Sequence, residues 1–138
     1  MGTAAFRDHP FARRIAGKRV LIAEDDTDIR KMLRIVLEAV GAAVSEAGSL
    51  KQTIGQLQGA AVDALVLDWN LGGTTGDRIF AEIATLSPPF AGSILVISGD
   101  QRVSTAALPE TPRTAVLLKP FLPVDLVAAL GGLLALPS

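Results

Sequence analysis

Apolar residues along this chain fall into two alternating patterns, short continuous runs and longer stripes with helical spacing. Five runs have the β-branched and aliphatic content of strands: Arg19 to Ala23, Ala42 to Glu46, Ala64 to Asp68, Ser93 to Ser98 and Ala115 to Lys119. Four of them are continuously apolar at their centres, the pattern of strands covered on both faces, whereas Ala42 to Glu46 is mixed and predicts an edge strand. Between the runs lie helical stripes. After Thr27, Ile29, Met32, Leu33, Val36, Leu37 and Val40 share one face, with Asp26 or Thr27 suited to the N-terminal cap and Gly41 to the left-handed stop. Leu50, Ile54 and Leu57 mark a second helix, and Ile79, Phe80, Ile83 and Leu86 a third that ends before Pro88 and Pro89. Arg102 to Leu108 gives a weak fourth, and Pro123 opens a fifth carrying Val124, Val127, Leu130 and Leu134. Strand and helix alternating in this way predict right-handed βαβ units, a parallel sheet and helices on both of its faces.

Composition narrows the chemistry. The chain has 138 residues, 49% of them hydrophobic, enough for one domain with its own core. Lysine plus arginine number 13 against 14 acids, so no global attraction to nucleic acid or anionic lipid is expected. Cysteine is absent, which removes disulfides, thiolate zinc sites and cysteine nucleophiles. The single histidine, His9, lies in a basic stretch with Arg7, Arg13, Arg14, Lys18 and Arg19; that leaves no histidine for a triad or a multi-histidine metal site elsewhere. Residues 1–17 read as a basic flexible leader and 18–138 as the folded domain. No secretory signal or membrane span is evident, so the expected location is cytoplasmic.

The unusual polar residues fall at the carboxyl ends of the predicted strands. Glu24, Asp25 and Asp26 follow the first, Asp68 ends the third, Ser98 the fourth and Lys119 the fifth. In a parallel sheet these ends share one edge, where open α/β folds bind ligands. Carboxylates gathered there repel unless a hard divalent cation such as Mg²⁺ accepts their oxygens. An ammonium at the end of an apolar strand needs an anionic partner, either the carboxylate cluster or an anion bound beside it. Gly72, Gly73 and Gly76 match neither a P-loop nor a dinucleotide fingerprint and read as turn geometry. Asp100, Arg102 and Glu110 read as surface charges.

Taken together, Val20-Leu21-Ile22-Ala23-Glu24-Asp25-Asp26, Leu67-Asp68-Trp69-Asn70, Ile97-Ser98-Gly99 and Leu118-Lys119-Pro120-Phe121 resemble the response-regulator receiver family of two-component signalling. Their separations, 43 residues from Asp25 to Asp68, 30 to Ser98 and 21 to Lys119, make the combination specific. The resemblance implies a flavodoxin-like, doubly wound five-stranded parallel sheet of order 2-1-3-4-5. It implies that Asp68 accepts a phosphoryl group from a histidine kinase or histidine phosphotransfer protein, with Ser98 and Lys119 contacting that group. By the same resemblance Asp25, Asp68 and the Asn70 carbonyl hold Mg²⁺ directly, Glu24 acts on it mainly through water, and the Lys119-Pro120 bond is cis. Such a protein catalyses only its own phosphorylation and dephosphorylation and signals to a downstream protein, with no direct nucleic-acid or membrane binding; a homodimer stays open.

Two features depart from the family pattern. Val116 stands where many members carry an inward-turning aromatic ring, and Gly72 replaces a frequent proline. Two rival readings accompany the receiver. A pseudo-receiver would keep the acidic pocket without phosphorylation, and an aspartyl-phosphate phosphatase would want a second acid where Asn70 stands.

Overall fold

A computed structural model describes residues 4–100, 102, 103, 108 and 113–134. The expected strands form β1 (Arg19–Ala23), β2 (Ala43–Ala47), β3 (Ala64–Asp68), β6 (Ser93–Ser98) and β7 (Thr114–Leu118). All pair in parallel, in the order β2-β1-β3-β6-β7, which is the predicted doubly wound topology. Two-residue strands β4 (Asn70–Leu71) and β5 (Thr74–Thr75) add a small antiparallel hairpin just after Asp68. Gly72 (φ +56°) and Gly73 (φ +86°) turn it, a left-handed pair that glycine adopts without a Cβ penalty. The expected turn geometry at these glycines is therefore a tight hairpin.

Helices α3 (Thr27–Ala39), α4 (Leu50–Gly59), α5 (Gly76–Ala84) and α6 (Pro123–Leu134) connect or follow the strands. Asp26 caps α3 by accepting hydrogen bonds from the amides of Asp28 and Ile29. Gly41, at φ +94°, then closes the helix as its sequence position predicts. Most of the expected fourth helix, Arg102 to Leu108, lies outside the described residues.

Period-two alternation along each strand sorts side chains onto two faces. Val20, Ile22, Val66, Leu95 and Ile97 pack with α3 and α6, while Leu21, Leu65, Leu67, Ile94 and Val96 pack with α4 and α5. Each fully buried Leu or Ile contributes about 1.5–3 kcal/mol. One expectation needs correction. The run in β7 is continuously apolar yet only half-buried, because β7, like β2, is an edge strand, with β6 as its neighbour in the sheet.

A second difference concerns residues 4–17. Expected as a flexible leader, they form two short helices, α1 (Ala4–Arg7) and α2 (Ala12–Ile15), seated on α6. Phe6, Ala12 and Ile15 are buried there against Leu126, Leu130 and Leu133. Three arginines fall among the apolar positions of this stretch and interrupt them in sequence, and those positions acquire a partner only when α6 supplies an apolar outer side.

Gly76 opens α5 directly beneath the Trp69 ring, and a Cβ at this position would overlap the indole. Gly76→Ala is expected to displace Trp69 from its place beside Phe80 and to cost about 1–3 kcal/mol. A urea titration followed by the emission of Trp69, the only tryptophan, checks both effects; an unchanged midpoint and spectrum would contradict the packing.

Candidate functional site

The site grows from three strand ends. β1 delivers Glu24 and Asp25, β3 delivers Asp68, and the chain leaving β7 delivers Lys119. Because β1 pairs directly with β3, the register Ala23 with Leu67 sets the two groups of acids side by side. One carboxylate oxygen from each of Glu24, Asp25 and Asp68 lies within 4.8 Å of the others. Lys119 Nζ stands 3.7 Å from both Glu24 Oε1 and Asp68 Oδ2. Its own amide donates to the Ser98 carbonyl at 2.8 Å, which ties the β6 and β7 ends together. The Lys119-Pro120 bond is cis.

Glu24 is the strained member of the group. It is 1% exposed, and Oε1 has no hydrogen-bond partner. Oε2 accepts from the Asp26 amide at 3.2 Å. Burial first, and then the neighbouring Asp68 carboxylate, push its pKa from 4.5 up to about 8; Lys119 and the Asp26 amide oppose the shift. An orphaned buried oxygen beside two further carboxylates is a donor set suited to a hard, oxygen-seeking cation. The residues present therefore fit Mg²⁺.

The remaining predicted residues differ in how closely they join this cluster. Asn70 is exposed, and its amide donates to Asp68 Oδ1 at 3.2 Å, so it adjoins the phosphoacceptor candidate directly. Ser98 is buried, and its hydroxyl is engaged with the Asp100 backbone: it accepts from the amide at 2.9 Å and reaches the carbonyl at 3.3 Å. Arg102 grips the Asp100 carboxylate with two nitrogens and pulls its pKa down to about 2. Asp100 and Arg102 thus shape the turn that occupies Ser98, a role beyond the surface charges expected of them.

Arg30 escaped the sequence reading. Its Nη1 donates to the Glu24 carbonyl at 2.7 Å and its Nε to Glu46 Oε1 at 2.7 Å, with Arg34 on the other Glu46 oxygen. These arginines hold the Glu46 carboxyl below its usual range. A network running from β2 through α3 to the acidic loop fixes the Glu24 backbone from behind. In the sequence Arg30 is one more polar residue on a helix, and only the pairing of Ile22 with Glu46 brings the partners together.

An open parallel sheet wound in this order, with acids from its first and third strands and a lysine after its last, has the architecture of a receiver. The comparisons agree, and this chain belongs to the response regulator receiver domain family, whose match spans residues 20–131. It is 31% identical over 124 residues to the phosphate regulon transcriptional regulatory protein PhoB of Pseudomonas aeruginosa, a match covering 87% of this chain and 53% of that protein. The PhoB of Escherichia coli strain K12 is 29% identical over 119 residues, covering 85% and 52%. The chain spans about half the length of the curated relatives it matches. Among solved structures, a response regulator receiver protein from Sinorhizobium medicae superposes with TM-score 0.71 at 26% identity, covering 86% of this chain and 94% of that one. A CheY-like receiver domain from Methanospirillum hungatei gives TM-score 0.73 at 22% identity, covering 86% and 94%, and supports the fold. Among the described residues no helix is long and apolar enough to cross a membrane.

Proposed function

We propose that Asp68 is the phosphoacceptor of this receiver and takes its phosphoryl group from a phosphohistidine on a kinase or phosphotransfer protein. The observation carrying this reading is the position of Lys119 Nζ, 3.7 Å from both Asp68 and Glu24, where an ammonium can balance an incoming anion. An Asp68 oxygen attacks phosphorus as the phosphorus–nitrogen bond of the donor breaks, and the electron pair leaves with the imidazole. No general base is required, since a carboxylate attacks without losing a proton, in keeping with a site that has no histidine. Catalysis is positioning plus charge neutralisation.

Glu24, Asp25, Asp68 and the Asn70 carbonyl are the residues that would hold Mg²⁺. When bound, Mg²⁺ supplies positive charge that offsets both the clustered carboxylates and the phosphoryl oxygens. Lys119 adds a fixed cation on the β7 side. Ser98 donates its hydroxyl to a phosphoryl oxygen after exchanging its present bonds to Asp100, so the turn at residues 98–100 must rearrange when Asp68 is modified. With Val116, paired with Val96 two residues before Ser98, in place of an aromatic ring, this turn and the adjoining backbone carry the change outward. The output is a protein contact, and the reaction takes place in the cytoplasm. The named relatives are transcriptional regulatory proteins, and this chain covers about half of their length.

Trp69 adjoins Asp68 and reports on the site. Its emission is expected to change on adding Mg²⁺ and again with beryllofluoride, and a kinase or small-molecule phosphoryl donor should yield an acid-stable, hydroxylamine-labile acyl phosphate. Mg²⁺ binding with no acyl phosphate from any donor would mark a pseudo-receiver. Steady turnover of an external phosphate ester would instead mark a phosphatase.

Lys119→Ala separates two roles of the lysine. It should leave Mg²⁺ affinity within about threefold, because the carboxylates remain, while slowing acyl-phosphate formation about 10²-fold or more through loss of a charge aimed at the phosphoryl group. Collapse of metal binding in this variant would contradict the assignment.

A further inference from the structure

The arm formed by α1 and α2 lies before residue 20, where the family match begins. It is nevertheless built into the domain. α6 is apolar around most of its circumference, so its inner side meets the sheet and its outer side needs a second cover. Phe6, Ala12 and Ile15 supply that cover. Phe11 crosses α6 at Gly131, where an added Cβ would stand 2.5 Å from Phe11 Cβ. The Gly17 amide donates to the Gly41 carbonyl at 2.9 Å and pins the end of the arm to the body.

With its apolar side spent on α6, the arm turns a basic side outward. Arg7, Arg13, Arg14 and Lys18 are exposed. Arg19, Arg30, Arg34 and Arg102 each pair with a carboxylate, whereas Arg7, Arg13 and Arg14 have none within ion-pair distance among the described residues. Two of them are held by rings of the arm itself: the Arg14 guanidinium carbon lies 3.7 Å from the Phe11 centroid, and that of Arg7 5.8 Å from the Phe6 centroid. A guanidinium attracted to a ring keeps N–H donors available for a carboxylate.

We propose that this outer face of the arm is a docking surface for an acidic segment of a partner protein. The charge distribution selects the class of partner. Residues 1–19 carry five basic residues and one acid, whereas residues 20–138 carry eight basic residues and thirteen acids. An extended polyanion or an anionic bilayer reaches past the arm and meets that net negative body, while a short run of carboxylates is confined to the basic face. Phe6 and Ile15 are buried and Phe11 is partly buried against Gly131 of α6, so little of the arm's apolar surface is left for lipid. The arm enters β1 at Arg19, the opposite end of that strand from Glu24, so a docked partner leaves the phosphoacceptor edge open. The proposal is independent of phosphorylation at Asp68.

The test uses the full chain and a fluorescently labelled, glutamate-rich peptide, with anisotropy as the readout at low ionic strength. Saturable binding is expected, weakened about tenfold or more by the paired Arg13→Glu and Arg14→Glu changes and also by added salt. The milder pair Arg13→Gln and Arg14→Gln should weaken it severalfold with an unchanged melting temperature, which separates lost charge from lost fold. Equal affinity in wild type and both variants overturns the proposal. So does tighter binding to duplex DNA or to phosphatidylglycerol vesicles than to the peptide. Concentration-dependent self-association abolished by the same substitutions would assign the surface to a second copy of the chain and overturn it as well.

Discussion

Asp68→Asn is expected to abolish acyl-phosphate formation, with a rate loss of at least about 10³-fold, equivalent to about 4 kcal/mol in the barrier. The amide is a poor nucleophile and forms no stable phosphoryl adduct, whereas its shape preserves the packing around β3. Asp68 is 12% exposed by its side chain and accepts the Asn70 amide on Oδ1, a bond an amide oxygen can still accept. The fold should therefore survive, which a thermal melt checks. The decisive measurement is incorporation of labelled phosphate from the same donor into wild type and variant. Label retained by Asp68→Asn would place the acceptor elsewhere and remove the proposed role of Lys119 with it.

The second large effect is a pH dependence with an unusual sign. Glu24 ionises near 4.5 in the unfolded chain but near 8 in the fold, because burial and Asp68 disfavour its charge. Between those values the folded state holds a proton that the unfolded state has released, so stability falls as pH rises. The contribution is fully present below about 4.5 and is lost on passing through about 8. In a chelator, the melting temperature is expected to drop across this window. Glu24→Gln should flatten that slope and make the metal-free protein more stable at pH 8 by about 1–4 kcal/mol, since it removes a buried charge without a hydrogen-bonded partner on Oε1. The same substitution should weaken Mg²⁺ binding, and added Mg²⁺ should restore the wild type at high pH. Flat metal-free stability from pH 5 to 8 would show that Glu24 is not held protonated.

These two results bear on a common feature, the forced proximity of carboxylates at the end of β1 and β3. Glu24 is costly to the metal-free fold and useful to a site that holds a cation. Arg30 and Glu46 stabilise the loop that bears it from outside, so the acids need not hold themselves in place.

Much of this arrangement is legible along the chain because it depends on short-range preferences. Runs such as Leu65-Val66-Leu67 and the stripe from Ile29 to Val40 report their own periods, and Gly41 needs no distant partner to stop a helix. Alternation of strands and helices leads to a parallel sheet, and a parallel sheet collects Glu24, Asp25, Asp68, Ser98 and Lys119 at one edge. The correspondence weakens where an outcome rests on a neighbour. β7 reads as buried, but its half-burial follows from a place at the sheet margin. Ser98 reads as a hydroxyl at a strand end, and its bonds to the Asp100 backbone come from the local turn that follows.

From composition, period and order alone come the α/β class, the helix caps, the predicted strand ends and the identity of the acids and the lysine that gather there. Tertiary structure decided that Lys119 stands equally far from Glu24 and Asp68, that Glu24 is buried with an orphaned oxygen, that Arg30 braces its loop, and that an arginine-rich beginning is clamped to the last helix. The reason is physical. Backbone preference and amphipathic period act over a few residues, whereas charge, burial and hydrogen bonding depend on which groups from distant segments share the same few ångströms, and register and packing alone determine that.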